Sequence, residues 1–221
     1  MQKVWLRGSI GVVLSLLYWS GFVVVAYSLI GGDRRDGGTV GTGATVAVWA
    51  AGLAIWLFGL WRIARPPARA LSAGELAAAK GVFGAAIDWD RVRIHARGFT
   101  PFQPKHVAVS PLGAVHYRRA DCLPDFSTRW SDMAWLIHEL VHVWQFQTGV
   151  WVIVRGLFER QYAYGVLDPD KPLHRYGIEQ QAAIVEDWYR RTRGVPAHRG
   201  SGSDADYRAV IPFLPGSAEP T

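Results

Sequence analysis

His138 and His142 stand one helical turn apart, with Glu139 directly after the first, in the run His138-Glu139-Leu140-Val141-His142. Residues four apart share a helix face, so two imidazoles at this spacing can converge on one tetrahedral Zn2+ ion. Glu139 would lie beside the ion without ligating it. A carboxylate there can take a proton from a water polarised by the metal and pass it to a leaving amine. The chemistry of such a set is metal-assisted hydrolysis, with Glu139 as general base and His138 and His142 as ligands.

Trp135, Leu136, Ile137, Leu140, Val141, Val143 and Trp144 surround these residues and are apolar almost all round a helical wheel. This pattern predicts a buried helix from about Ser131 to Gln147, stopped by Gly149. Three ionisable side chains inside it need compensation, because unpaired burial costs roughly several kcal/mol. A bound metal supplies that compensation. The bland alternative is a pair of core histidines hydrogen-bonded to backbone carbonyls.

A catalytic zinc site usually has a third protein ligand. A histidine six residues after His142 with an intervening glycine would give the longer metzincin form, but Gln145 and Thr148 occupy those positions. Downstream acids are Glu159, Asp168, Asp170, Glu179, Glu186 and Asp187. Glu179 is favoured, with Glu186 second, since Glu179 begins an amphipathic segment, Ile178 to Arg191, that carries Ile178, Ala182, Val185 and Tyr189 on one side. Glu159 reads instead as a solvated partner of Arg155 or Arg160. Tyr164, His174 and Tyr176 lie between the two segments and are candidates for an oxyanion donor.

The elements that must position these groups read as an α+β domain over residues 71–215. Ser72-Ala73-Gly74-Glu75 is a capping box that opens a helix running toward Ala86. Val92 to His95, His106 to Ser110 and Ala114 to Arg118, with the turn Pro111-Leu112-Gly113, predict a short antiparallel sheet. Its Ala114–Arg118 strand is a candidate edge for an extended peptide. His95, His106 and His116 lack motif spacing and read as structural or exposed. Gly149 to Phe158 is apolar but too short to span a bilayer, and fits a strand, a core segment or part of a groove. Beyond Gly194 the chain is loop-like apart from a packing segment at residues 209–214, with a flexible tail at 216–221.

Two N-terminal stretches, about 9–30 and 44–61, are uncharged and long enough to cross a bilayer. The polar turn Gly31 to Gly38 between them predicts a transmembrane helical hairpin over residues 1–64, joined to the domain by a proline-rich linker at 65–70. Lys3, Arg7, Arg62, Arg65 and Arg69 outnumber Arg34 and Arg35 of the turn, which places both ends, and the domain, on the cytoplasmic side of a bacterial inner membrane. The formal charge of +6 fits a lipid bilayer partner better than nucleic acid, for want of a basic-aromatic binding motif. The single cysteine, Cys122, excludes an intramolecular disulfide.

The sequence His138-Glu139-x-x-His142 followed by a helix carrying Glu179 resembles the gluzincin class of zincin metallopeptidases. With Val143-Trp144-Gln145 after the motif and Glu179-Gln180-Gln181-Ala182 later, it is similar to small bacterial metallopeptidases labelled Vgr-related. The resemblance spans roughly residues 71–215. It implies His138, His142 and Glu179 as zinc ligands, Glu139 as base, and a peptide or protein substrate. It departs from the best-known pattern four residues after Glu179, where an aspartate commonly stands and Ala183 is found here; Asp187 is a possible substitute in the outer shell. The alternative function is a catalytically silent membrane-tethered zinc-binding scaffold or a secretion-associated module.

Overall fold

The computed structural model describes residues 50–58 and 68–214. The chain divides into two compact units, Met1–Arg65 and Pro66–Thr221. In the first, residues 50–58 are helical and mostly exposed. No described helix is long and apolar enough to cross a membrane. The expected transmembrane hairpin is therefore corrected, and with it the inner-membrane placement that rested on it. The 9–30 segment, most of the 44–61 segment and the 216–221 tail lie outside the described residues.

The second unit begins with a helix, α1 (Ala73–Phe83), opened by the capping box: Ser72 Oγ accepts from the Glu75 amide, and the Glu75 carboxylate accepts from the Ser72 amide. Glu75 is fully buried, which a carboxylate tolerates only when its oxygens are satisfied. Arg69 grips it with both terminal guanidinium nitrogens at 2.7 Å, and the Phe126 amide donates at 2.8 Å. Arg69 also pairs in antiparallel fashion with Ile94. The node thus ties the start of the unit to α1 and to the turn at Phe126–Thr128.

Strands β1 (Ile94–Ala96) and β2 (Val115–Tyr117) pair in parallel, Ile94 opposite Val115. The antiparallel sheet expected from the sequence is corrected to this pair. The turn at Pro111-Leu112-Gly113 does form, yet its two arms meet at a single antiparallel bridge, Val109 with His116. Ala96 connects to β2 through a long loop, the length a parallel pairing requires. Gly113 makes the turn at φ 74°, and a Cβ there would meet the Phe146 ring at 2.6 Å. A second parallel pair joins β3 (Gly165–Val166) to β4 (Gly200–Ser201).

The core is organised by α2 (Trp130–Gln147) and α4 (Ile178–Arg191), which pack against each other. Leu136, Ile137, Leu140 and Val141 of α2 are completely buried, as are Ala182, Ala183, Ile184 and Val185 of α4. The two alanines allow close approach, since interaxial distance depends on the side chains at the contact. In chain order α3 (Val152–Phe158) comes between them, a short helix where the sequence left strand, core or groove open. After α4, α5 (Asp204–Val210) closes the core with Tyr207 and Val210, followed by buried Ile211 and Leu214.

Removing one partner of a buried ion pair strands the other, at a cost of about 3–5 kcal/mol. Glu75→Ala is expected to lower unfolding stability by that order, read as a shift of the urea midpoint with unchanged slope. An unchanged midpoint would show the node to be dispensable.

Candidate metal centre

Helix α2 presents His138, Glu139 and His142 to one side, and α4 meets them with Glu179 in its first turn. One oxygen of Glu179, Oε2, lies 3.2 Å from His138 Nε2 and 3.4 Å from His142 Nε2. The ligating atoms of all three residues fall within 4.8 Å of one another. Ligands bound at ~2.0–2.1 Å around a tetrahedral ion would stand about 3.3–3.4 Å apart, so both measured separations fit a small cation.

Each imidazole is also held from its far side. His138 Nδ1 is 3.1 Å from Glu186 Oε2, and His142 Nδ1 is 2.8 Å from Gln145 Oε1. When the rings are neutral, an Nδ1 proton donated to these acceptors leaves each Nε2 lone pair on the Glu179 side. Gln145 is itself fixed, donating to the Ile178 carbonyl at 3.1 Å and to Gln181 Oε1 at 2.9 Å. Gln181 donates in turn to the Tyr176 carbonyl at 2.7 Å. One amide chain therefore orients a histidine on α2 and locks α2 to α4.

Electrostatics follow from this packing. Burial opposes charge on His138, but Glu179 and Glu186 outweigh it and push the imidazole up to about 10. Burial also disfavours the Glu179 carboxylate, yet the two histidines hold it well below the usual carboxylate range. Glu139 moves the other way: burial raises it, against the pull of His142 and His138 and a hydrogen bond from Ser110. Ser110 Oγ donates to Glu139 Oε2 at 2.9 Å.

A cleft of about 400 Å³ opens over these groups. Its floor carries His138, Glu139, His142 and Glu179; residues 107–111 form one wall and α3 another. Tyr162 also lines it. The Tyr162 ring stacks on His138 with centroids 5.7 Å apart, and the Arg199 guanidinium lies 5.3 Å from its centroid. Burial, then Glu179 and Glu139, push the phenol up to about 12, so it stays protonated as a donor.

Tyr162 escaped the sequence reading because nothing in its spacing marks it. The donors considered there lie elsewhere. Tyr164 is buried against Asp187 and Tyr207, the Tyr176 ring packs against Lys171, and His174 is exposed. Asp187 makes no direct contact with the three clustered residues. It accepts from Tyr164 Oη at 2.8 Å, from the His198 amide and Nδ1 at 2.9 and 2.8 Å, and from the Arg199 amide at 2.9 Å. Glu186, weighed as a ligand, sits instead behind His138. Glu159 pairs with Arg155 at 2.7 Å and also accepts from the Ile178 amide at 2.9 Å, steadying the start of α4. The β2 strand is no free edge, since β1 and Val109 flank it. His116 stacks on His95, and His106 pairs with Asp121.

The fold and site define a small α+β domain with a two-histidine, one-carboxylate cluster between two packed helices. Among solved structures it is similar to the effector domain of Pseudomonas aeruginosa VgrG2b, with a TM-score of 0.53 and 35% identity over 67% of this chain and 87% of that one. The chain belongs to the family of that effector domain. Among curated proteins it is 40% identical over 131 residues to the type VI secretion system spike protein VgrG2b of Pseudomonas aeruginosa PAO1, matching 55% of this chain and 13% of the spike protein's length. No family model matches the chain.

Outer-shell partners of ligating histidines are typically worth 10–100-fold in metal affinity. Glu186→Ala is expected to weaken zinc binding by that order in equilibrium dialysis, and Glu179→Ala to remove tight binding. Because His138 is protonated at neutral pH without metal, zinc binding should release protons, and affinity should rise with pH between 6 and 8. Calorimetry in buffers of different ionisation enthalpy checks the release.

Proposed function

We propose that residues 66–221 form a zinc-dependent peptidase that acts as an effector module of the secretion-associated kind. The observation that carries the reading is the convergence of His138 Nε2, His142 Nε2 and Glu179 Oε2 on one point, with Glu139 beside them at the floor of an open cleft. The family tie to the VgrG2b effector domain supports the effector role.

His138, His142 and Glu179 would hold the metal. When bound, zinc would supply Lewis acidity, polarising a water molecule and the scissile carbonyl. Glu139 provides the base: burial raises its affinity for a proton, while the Ser110 hydroxyl occupies Oε2 and leaves Oε1 to take the water proton. That proton then passes from Glu139 to the departing amine nitrogen. The protonated Tyr162 hydroxyl is a hydrogen-bond donor at the same cleft, suited to the developing oxyanion.

Residues 107–111 offer the substrate its backbone contacts. Val109 turns its amide and carbonyl to His116, at 3.2 and 2.9 Å. Strand alternation points those of Ala108 and Ser110 away from His116, and both residues line the cleft. An extended peptide can pair there, one layer outward from the β2 edge anticipated in the sequence.

Glu139→Gln tests the reading. With the whole chain loaded with zinc, cleavage of a peptide library is expected to fall by roughly 10²–10⁴-fold while metal content stays constant. Zinc binding without Glu139-dependent cleavage would leave a non-hydrolytic metal-binding module.

A further inference from the structure

The cleft contains one position where the side chain is missing rather than merely small. Gly156 lies inside α3, where glycine weakens a helix. Its backbone does not require glycine, since it is absent from the positive-φ residues. Nor does crowding demand it: an added Cβ would meet only Ile178 Cδ1, at 3.8 Å, an ordinary contact. What glycine contributes here is the space it leaves.

That space opens into the cleft beside the metal cluster. Gly156 and Ile178 both line the cleft, and Ile178 directly precedes Glu179. Val152, Ile153 and Leu157 complete the α3 wall, so the surroundings of Gly156 are apolar. The charged or ionisable groups lining the cleft are those of the cluster and its base, together with the Tyr162 phenol. A charged substrate side chain in this slot would be buried without a partner, whereas a large apolar one would displace water from apolar surface.

We infer that Gly156 is a specificity-determining residue, whose missing side chain leaves a slot for a bulky apolar residue, leucine or phenylalanine, flanking the scissile bond. The inference rests on the peptidase reading above. It names the substrate class as peptides with a large apolar residue beside the cleaved bond, and it assigns the selection to α3 rather than to the metal helix.

The test compares wild type, Gly156→Ala and Gly156→Leu, each as the whole chain with zinc bound and with folding checked by thermal melting. Matched peptides carry Leu, Phe, Ala, Gly, Asp or Lys on either side of the scissile bond. Wild type is expected to prefer Leu or Phe on one side. Gly156→Leu is expected to lose about tenfold or more in kcat/KM on those peptides, with Ala and Gly peptides changed by less than about threefold, and Gly156→Ala to fall between. A second readout is binding of the same peptides to zinc-loaded Glu139→Gln, with and without Gly156→Leu, by fluorescence anisotropy. The same selective loss on Leu and Phe peptides is expected there.

Equal loss on every peptide, or an unchanged order of preference in folded variants, overturns the slot. If wild type binds with the expected preference and Gly156→Leu removes it, but no peptide is cleaved, the peptidase reading fails while the slot stands. If wild type cleaves peptides without regard to these side chains, the slot fails and the peptidase reading stands.

Discussion

The structure depends on an array of imidazole and carboxylate groups buried between α2 and α4. An apolar helix interface would ordinarily exclude such groups, because each costs several kcal/mol, roughly, if left unpaired. Here they satisfy one another. Glu179 faces both Nε2 atoms, Glu186 stands behind His138, and Gln145 stands behind His142. The interface is tolerable only with all members in register, so the requirement that orients the imidazoles also sets how α4 lies on α2. Packing and site geometry are consequences of one constraint.

The Gln145 network shows how far that constraint reaches. Gln145 is fully buried and divides its groups between a histidine on its own helix and two acceptors on α4, the Ile178 carbonyl and Gln181. The Ile178 amide in turn donates to Glu159 at the end of α3. The wall of the cleft and its floor are therefore joined at the N-terminus of α4. Asp187 plays a comparable part lower on the same helix, gathering Tyr164, His198 and Arg199 so that the 198–199 segment is held against α4. Arg199 then reaches the Tyr162 ring.

Much of this was legible in the sequence where periodicity and capping act locally. The 178–191 helix has the expected limits, α2 begins one residue before its expected start, and the Ser72–Glu75 capping box forms as its spacing implies. Spacing alone placed His138 and His142 on one face, and the apolar flank placed that face inside. Features set by long-range contact were not legible. The direction of strand pairing depends on where the 97–114 connection travels, which no local pattern records. The 149–158 run is apolar whether strand or helix. Glu186 and Asp187 are neighbours on α4 that both approach His198, but only Glu186 reaches His138 and only Asp187 reaches Tyr164, so their roles separate only once the helix has its partners. Tyr162 enters the cleft through the path of a loop. The apolar N-terminal segments misled because length and lack of charge establish only that a span is feasible.

The Arg69 node has a mechanical consequence. Arg69 exchanges two backbone hydrogen bonds with Ile94, at 2.9 and 2.8 Å, while its side chain grips Glu75 of α1. Tension arriving along the chain from the N-terminal side meets this clasp within a few residues of the Pro66 boundary. The load is shared between a strand and a helix and must break a paired ion contact before reaching α2 or α4. The histidine-bearing helix, far along the chain, lies beyond both of these contacts.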